Sequence, residues 1–445
     1  MASDLLSIAK SGTRAARVAL DITAQNIANA STEGYVRRSV ALEEVTSTGG
    51  IGRQGEVSVS GVRLDRVIRN ADLFRQSEVR RTGSDSARAN AEVAGLENIE
   101  AAIEGADIYP AIVRFEGTLQ QLSADPTNNS LRASVVEEAR TLARSFNIGS
   151  QALDSARDGM HFEADASVEQ VNQLAQELGR VNLRLARASD ASSDQTALLD
   201  QRDSLLKKLS EHTDVTTTFA VDDTVEVRIG GATGPVLVSG GSASTLAMTK
   251  AANGTLSFTL GGAAVSPTGG ALAGKALALT KLADTRSRID AVANSVIVTV
   301  NAAQAAGIGL DGSAGQPMFS GTGAGSMTLT LSNGAGIATA PAGAGANSRD
   351  GGNLEALRNA LAAADPAGMA DAAIFDISST VAGRSISRDA LQTIADNANV
   401  ALQAQAGVDL DQEAVNLIRF QQAFQASGRV MQIASNLFDT LIGIK

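Results

Sequence analysis

Residues 410–441 read LDQEAVNLIRFQQAFQASGRVMQIASNLFDTL. Leu410, Leu417, Phe424, Met431 and Phe438 fall seven apart, and Phe420, Ala434 and Leu441 follow three residues behind members of that series. A seven-residue apolar repeat without proline predicts a long helix with a coiled-coil seam. The opposite end carries a thinner counterpart. Residues 3–30 predict one helix with Ser3 as N-cap. Leu6, Ala9, Ala16, Leu20 and Ile27 share one face, and Leu5, Ile8, Ala15, Ala19 and Ile22 lie beside it. Neither helix buries such a stripe alone. Burying a Leu or Phe is worth about 1.5–3 kcal/mol, so both ends are expected to associate.

Between them the pattern changes twice. Residues 40–68 alternate around Val57, Val59, Val62, Leu64 and Val67 with interspersed glycines, the pattern of short extended segments or a hairpin. Helical periodicity returns over 70–104, 108–123, 128–160, 163–187 and 195–212. Pro126 stops one helix, and Asn128 or Asn129 caps the next. Short β-prone runs separated by glycine-rich turns then occupy 215–260. A helix covers 274–306, loops and a strand cover 307–350, and helices follow at 352–364, about 376–404, and the terminal segment. The expected fold is mainly α with a small all-β domain, an elongated multi-domain rod whose terminal helices pair as a coiled coil. Its domains are 1–39 with 405–445, the terminal coiled coil; 40–212 with 351–404, mostly helical and discontinuous, with helix 274–306 a candidate addition; and 213–273 with 307–350, an inserted β-rich outer part.

Composition excludes several functions. The 445 residues carry a net charge of −11 and 3% aromatic residues with no Trp, unsuited to a nucleic-acid surface or a sugar-stacking cleft. Residues 1–81 alone are slightly basic and arginine-rich, with 12 Lys and Arg against 9 Asp and Glu. There is no cysteine, so no disulfide framework or thiolate metal site is possible. No apolar run is long enough for a membrane span. The first residues lack the basic and apolar regions of a secretory signal. Gly307-Ile308-Gly309-Leu310-Asp311-Gly312 matches a dinucleotide fingerprint literally but follows a helix and leads into a loop, so a flexible loop is expected. The two histidines, His161 and His212, lie far apart without metal-ligand spacing. His161 is expected to face solvent and His212 to close a helix. Adjacent acids such as Glu137-Glu138 and Asp222-Asp223 read as surface. No cofactor, metal or enzymatic constellation is expected.

The helix over 3–30 runs into Ala24-Gln25-Asn26-Ile27-Ala28-Asn29-Ala30-Ser31-Thr32-Glu33-Gly34-Tyr35-Val36-Arg37-Arg38. This stretch resembles the N-terminal motif of the bacterial flagellar axial family of rod, hook and hook-associated proteins, with Glu33 where that family commonly has proline. The stretch from Gly407 to Ser427 is similar to the same family's C-terminus, and its Val408-Asp409-Leu410-Asp411-Gln412-Glu413 start resembles the hook-associated branch. Leu198-Leu199-Asp200-Gln201-Arg202-Asp203-Ser204-Leu205-Leu206 and residues 108–160 and 274–320 also look similar to that branch; 230–271 and 325–350 are least similar. The resemblance implies a non-enzymatic subunit of the junction between hook and filament, present as a ring of copies. Its implied partners are hook protein, a second junction protein on the filament side, and an export chaperone on the C-terminal helix. The implied location is the extracellular flagellum, reached through the flagellar type III apparatus. The expected interface is Leu410, Leu417, Phe420, Phe424, Met431, Phe438 and Leu441, with Leu6, Leu20 and Ile27 opposite. Asn26, Asn29, Thr32 and Gly34 are expected to shape the turn, since Asn side chains bond nearby backbone. Alternatives are a hook or distal-rod component and a surface glycan-binding protein.

Overall fold

The computed structural model describes residues 2–32, 34–47, 58–188 and 193–442. In chain order the elements are α1 (Ala2–Ala28), β1 (Arg38–Ser47), β2 (Ser58–Arg69), α2 (Leu73–Glu104), α3 (Ile108–Ala124), α4 (Asn129–Leu185) and α5 (Ser193–His212). Seven short strands follow: β3 (Thr216–Phe219), β4 (Val225–Arg228), β5 (Val236–Ser239), β6 (Ser242–Ala243), β7 (Leu246–Lys250), β8 (Leu256–Leu260) and β9 (Ala263–Val265). Then come α6 (Gly270–Ala306), β10 (Gly307–Ile308), β11 (Phe319–Ser320), β12 (Thr328–Leu329), β13 (Ala340–Pro341), α7 (Gly352–Ala364), α8 (Pro366–Ala406) and α9 (Leu410–Ile442). The fold is mainly α with small antiparallel sheets.

Caps set the helix boundaries. Asp72 Oδ1 accepts from the backbone N–H of Phe74 and Arg75 at the start of α2. Asn128 Oδ1 does the same for Ser130 and Leu131 at α4, and Asp409 Oδ1 for Asp411 and Gln412 at α9. Two boundaries differ from the sequence reading. The break expected near 160–163 is absent, because Leu153, Met160, Ala164, Val171, Ala175 and Leu178 keep one buried register through α4. α8 starts at Pro366 instead of near 376. Proline suits the first helical position, and Asp365 Oδ1 accepts from Gly368 N–H just behind it.

The chain forms two compact units. The first comprises residues 1–83, 171–245 and 392–445; the second comprises 84–170 and 246–391. In the first unit, β1 and β2 form the expected hairpin, with Arg38 opposite Arg69 and Ser47 opposite Ser58. A four-stranded antiparallel sheet in the order β3-β4-β5-β6 rests on α4. Val225 and Val227 point inward, and the buried Asn182 of α4 donates to the carbonyls of Val225 and Gly240 while accepting from Val225 N–H. A side chain at Gly179 would meet the Gly241 carbonyl at 3.0 Å, so glycine is what lets sheet and helix come this close.

The second unit has an apolar core to which α2, α3, α4, α6, α7 and α8 contribute. Phe115 and Phe319 meet edge to face at its centre with centroids 5.9 Å apart, and Leu142, Phe146, Val296 and Leu354 are fully enclosed around them. The strands β7-β8-β9 form a separate meander here. His161, expected at the surface, is buried: its Nε2 lies 2.7 Å from the Gly254 carbonyl in the β7–β8 turn. The glycine-rich run 307–312 is not a free loop either. Gly307 and Ile308 pair with Pro341 and Ala340, Leu310 N–H donates to Ala335 O, and Asn347 N–H donates to Leu310 O. Buried amides complete the fastening, since Gln304 bonds the backbone of Gln316, Gly336 and Ala338, and Asn353 bonds that of Ala303 and Ala338.

Candidate assembly interface

The site begins with α1. Its alanines present a nearly smooth face, and Ala9, Ala16, Ala19 and Ile22 are buried. Asn26 meets Glu413 at one end of the α1–α9 pair, while a Cβ on Gly12 would stand 2.9 Å from Ser427 Oγ further along. The two helices are therefore antiparallel. β2 crosses the same helix where Gly61, at φ 104°, leaves no room for a side chain beside Ser11, and Ser11 Oγ accepts from Val62 N–H.

The seven-residue stripe divides on this scaffold. Leu417, Phe420 and Met431 are half-buried and Ala434 is buried, whereas Leu410, Phe424 and Phe438 are exposed. Leu441 lies outside the residues whose side chains are described. On α1, Leu20 is half-buried, and Leu6 and Ile27 are exposed. A second apolar series on α9, Val415, Ile418, Val430, Ile433 and Leu437, is also exposed. At about 100° per residue, Val415, Ile418 and Ile433 stand more than a quarter-turn from Glu413, Phe420, Ser427 and Ala434, whereas Val430 and Leu437 border the buried stripe.

The motif after α1 is a polar latch. Asn26 is buried, and all of its amide is used. Its Nδ2 donates to Arg38 O at 2.8 Å and to Glu413 Oε2 at 3.1 Å, and its Oδ1 accepts from Arg38 N–H at 3.0 Å and from the Tyr35 hydroxyl at 2.8 Å. Glu413, buried in the first turn of α9, takes Arg37 Nε at 2.7 Å on its other oxygen. Arg37 N–H donates to Ala406 O. Asn29 and Thr32 are less committed: Asn29 Nδ2 bonds Gln25 O, and Thr32 Oγ1 donates to Asn29 Oδ1 at 3.3 Å. Gly34 sits at φ 79°, which glycine adopts without strain.

A second tier of charge lies behind this latch. Asp200 takes Arg38 at 2.9 Å and Arg69 at 2.7 Å, and Asp203 takes Arg69 at 2.7 Å and Arg202 at 2.9 Å. The Arg38 guanidinium also covers the Tyr35 ring at 5.1 Å. Burial holds the Tyr35 hydroxyl above its ordinary pKa against the pull of Arg38, so it stays a donor. Burial opposes ionisation of Asp203, but Arg69 and Arg202 outweigh it and depress its pKa below the ordinary 3.8. A depressed native pKa means that this network's contribution is complete above the unfolded value near 3.8 and is lost as pH falls through the lower native value. The urea midpoint of the first unit is expected to drop on acidification below about pH 4, and Asp203→Asn should flatten that dependence. An unchanged slope in the variant would reject the assignment.

Glu413, Arg37, Arg38, Tyr35, Asp200 and Asp203 were not among the sequence-based site residues. The signal was present: each falls within a stretch already matched to the flagellar axial family, and this network joins three of those stretches in one place.

A sequence profile described as the flagellar hook-associated protein FlgK helical domain matches residues 93–319, just over half of the chain. The chain belongs to the FlgK family. Profiles of the flagella basal body rod protein and of the flagellar basal body rod FlgEFG protein C-terminal region match residues 6–35 and 402–444, the two helices of the antiparallel pair. Flagellar hook-associated protein 1 of Bacillus subtilis is 27% identical over 221 residues, covering 48% of this chain and 44% of that protein. The proteins of that name from Salmonella typhimurium and Escherichia coli K12 are 27% identical over 249 residues, or 55% of this chain. The chain thus spans less than half the length of these FlgK-family relatives. The flagellar hook junction protein FlgK of Burkholderia pseudomallei shares the fold, with a TM-score of 0.50 and 23% identity over 55% of this chain and 46% of that one.

Proposed function

We propose that this chain is a structural subunit of the junction between flagellar hook and filament, assembled as a ring of copies. One observation carries the reading. After α1 and α9 have paired and locked through Asn26 and Glu413, they still expose Leu5, Leu6 and Ile8 on one helix and Ile418, Ile433 and Phe438 on the other. Exposed apolar groups rimmed by polar residues mark association surfaces, and helices of this kind are what the family's terminal matches cover. In this reading the function is structural and non-enzymatic, in keeping with the family to which the chain belongs. Partners in this reading are neighbouring copies, hook protein below and a second junction protein toward the filament. An export chaperone covers the α9 stripe before export to the extracellular flagellum. The expected domain division, with a terminal coiled coil, a helical part and an outer β-rich part, is proposed for the assembled state. No helix among the described residues is long and apolar enough to cross a membrane.

The test is genetic. A strain lacking this chain should make hooks without filaments and release flagellin into the medium. Complementation with Ile418→Asp plus Ile433→Asp should not restore filaments, although the purified variant should melt like wild type because both side chains are exposed. Filaments on cells carrying that variant would overturn the proposal.

A further inference from the structure

Three cations lie along one line of α1. Lys10, Arg14 and Arg17 are exposed and follow the i, i+4, i+7 spacing that puts side chains on one helical face. At about 100° per residue, each stands at least about 120° from Gly12 and Asn26, the residues that meet α9. Among the described residues none of the three forms an ion pair, and Asp21, one turn beyond Arg17, is unpaired too. Like charges at this spacing weaken a helix, so the row costs α1 stability that no described residue offsets.

α2 carries the opposite charge at the mirrored spacing. Glu97, Glu100 and Glu104 fall at i, i+3 and i+7; Glu97 and Glu104 are exposed and Glu100 is half-buried. The exposed Asp107 follows, and the last turn of α2 has no basic residue. Acids at a helix C-terminus oppose its macrodipole, so helix chemistry does not explain them. Glu97 meets Arg388 only at 3.7 Å, and that guanidinium lies closer to Asp389, at 3.0 Å. Glu100, Glu104 and Asp107 form no ion pair, in a unit whose residues are all described. The exposed Ala94 and Ala101 flank the acids on the same face, so their small side chains let another helix approach closely.

We propose that the basic row on α1 of one copy docks antiparallel on the acidic row on α2 of the next, pairing Lys10 with Glu104, Arg14 with Glu100 and Arg17 with Glu97. This deepens the assembly reading and rests on it. Steps of four and then three residues run from Lys10 to Arg17, and the same steps run backwards from Glu104 to Glu97. Each row is about 10 Å long at 1.5 Å per residue, so all three pairs form in one register. The two rows are different surfaces of the chain, so the contact is head to tail, the kind that closes into rings. Exposed ion pairs add little affinity. In this contact the exposed apolar groups of the terminal helices supply the affinity, and the charges select the neighbour and its register.

Charge reversal in cells carrying the full-length chain tests the contact. Lys10→Glu, Arg14→Glu and Arg17→Glu together should cut filaments per cell at least about ten-fold. Glu97→Lys, Glu100→Lys and Glu104→Lys together should do the same, and a chain with all six changes should restore the filaments. Wild-type filament numbers with either triple variant overturn the pairing. So does a combined chain no better than the triple variants. The chain contains no cysteine, so Arg14→Cys with Glu100→Cys on one chain separates neighbour from self. Oxidised hook preparations should then yield covalent dimers and longer oligomers, whereas a bridge within one chain, or none, overturns the contact. The strain lacking this chain keeps the two readings apart. Filaments on that strain reject the assembly reading, whereas filament loss there without covalent oligomers in the cysteine variant rejects only the contact.

Discussion

Asn26→Ala is expected to destabilise the first unit by about 3 kcal/mol, whereas Asn29→Ala costs less than about 1 kcal/mol. The two asparagines are three residues apart in one motif, but their bonds differ. Asn26 is buried and satisfies Arg38 N–H, Arg38 O, Tyr35 Oη and Glu413 at once. Alanine removes all four bonds and leaves a backbone donor and a buried carboxylate short of partners, which is the costly direction of hydrogen-bond loss. Glu413 keeps Arg37, so the carboxylate is not abandoned altogether, and this limits the loss. Asn29 bonds only within its own turn, and water replaces those bonds at little cost. Urea midpoints of the two variants check the contrast, and hydrogen exchange across residues 410–420 should report loosened docking of α9 in the first alone. Equal losses would show that the latch contributes nothing beyond local turn structure.

Arg132→Met is expected to cost the second unit about 3–5 kcal/mol. Arg132 is fully buried and faces no carboxylate among its bonds. Its guanidinium donates instead to the carbonyls of Pro126, Gly334 and Ile337 and to Thr339 Oγ1, at 2.6, 3.0, 2.9 and 2.6 Å. Burial lowers its pKa, without removing its charge near neutrality. Three carbonyls from two distant segments are thus gathered on one side chain. Methionine fills a similar volume but returns nothing to those carbonyls, so the segment 334–339 loses its anchor. Hydrogen exchange of amides 304–341 and the urea midpoint measure this. A change below about 1 kcal/mol would mean that water enters and replaces the guanidinium.

The long helices were legible because apolar periodicity and caps are local. Asp125-Pro126 ends α3, Asn128 caps α4, and the stripe from Leu410 onward forms one helix. The misreadings share a cause. His161 carries no sequence sign of burial, since the Gly254 carbonyl that takes its Nε2 lies 93 residues away. The run from Gly307 to Gly312 looked free because its fasteners, Ala335, Ala340 and Asn347, lie further along the chain.

The candidate site shows the same division. Sequence alone determined that both ends are helices with apolar stripes and that the chain lacks thiol chemistry. It also held the three matched stretches around Arg38, Asp200 and Glu413. Only the tertiary structure decided that these stretches meet. It also decided that α1 and α9 run antiparallel and that the seven-residue series is half-buried at Leu417 and Met431 but exposed at Leu410, Phe424 and Phe438. The physical reason is that helix periodicity is set by backbone geometry within a few residues, whereas the partner of a buried charge is set by desolvation. The cost of burying Glu413 is met by Arg37 and Asn26, more than 370 residues away.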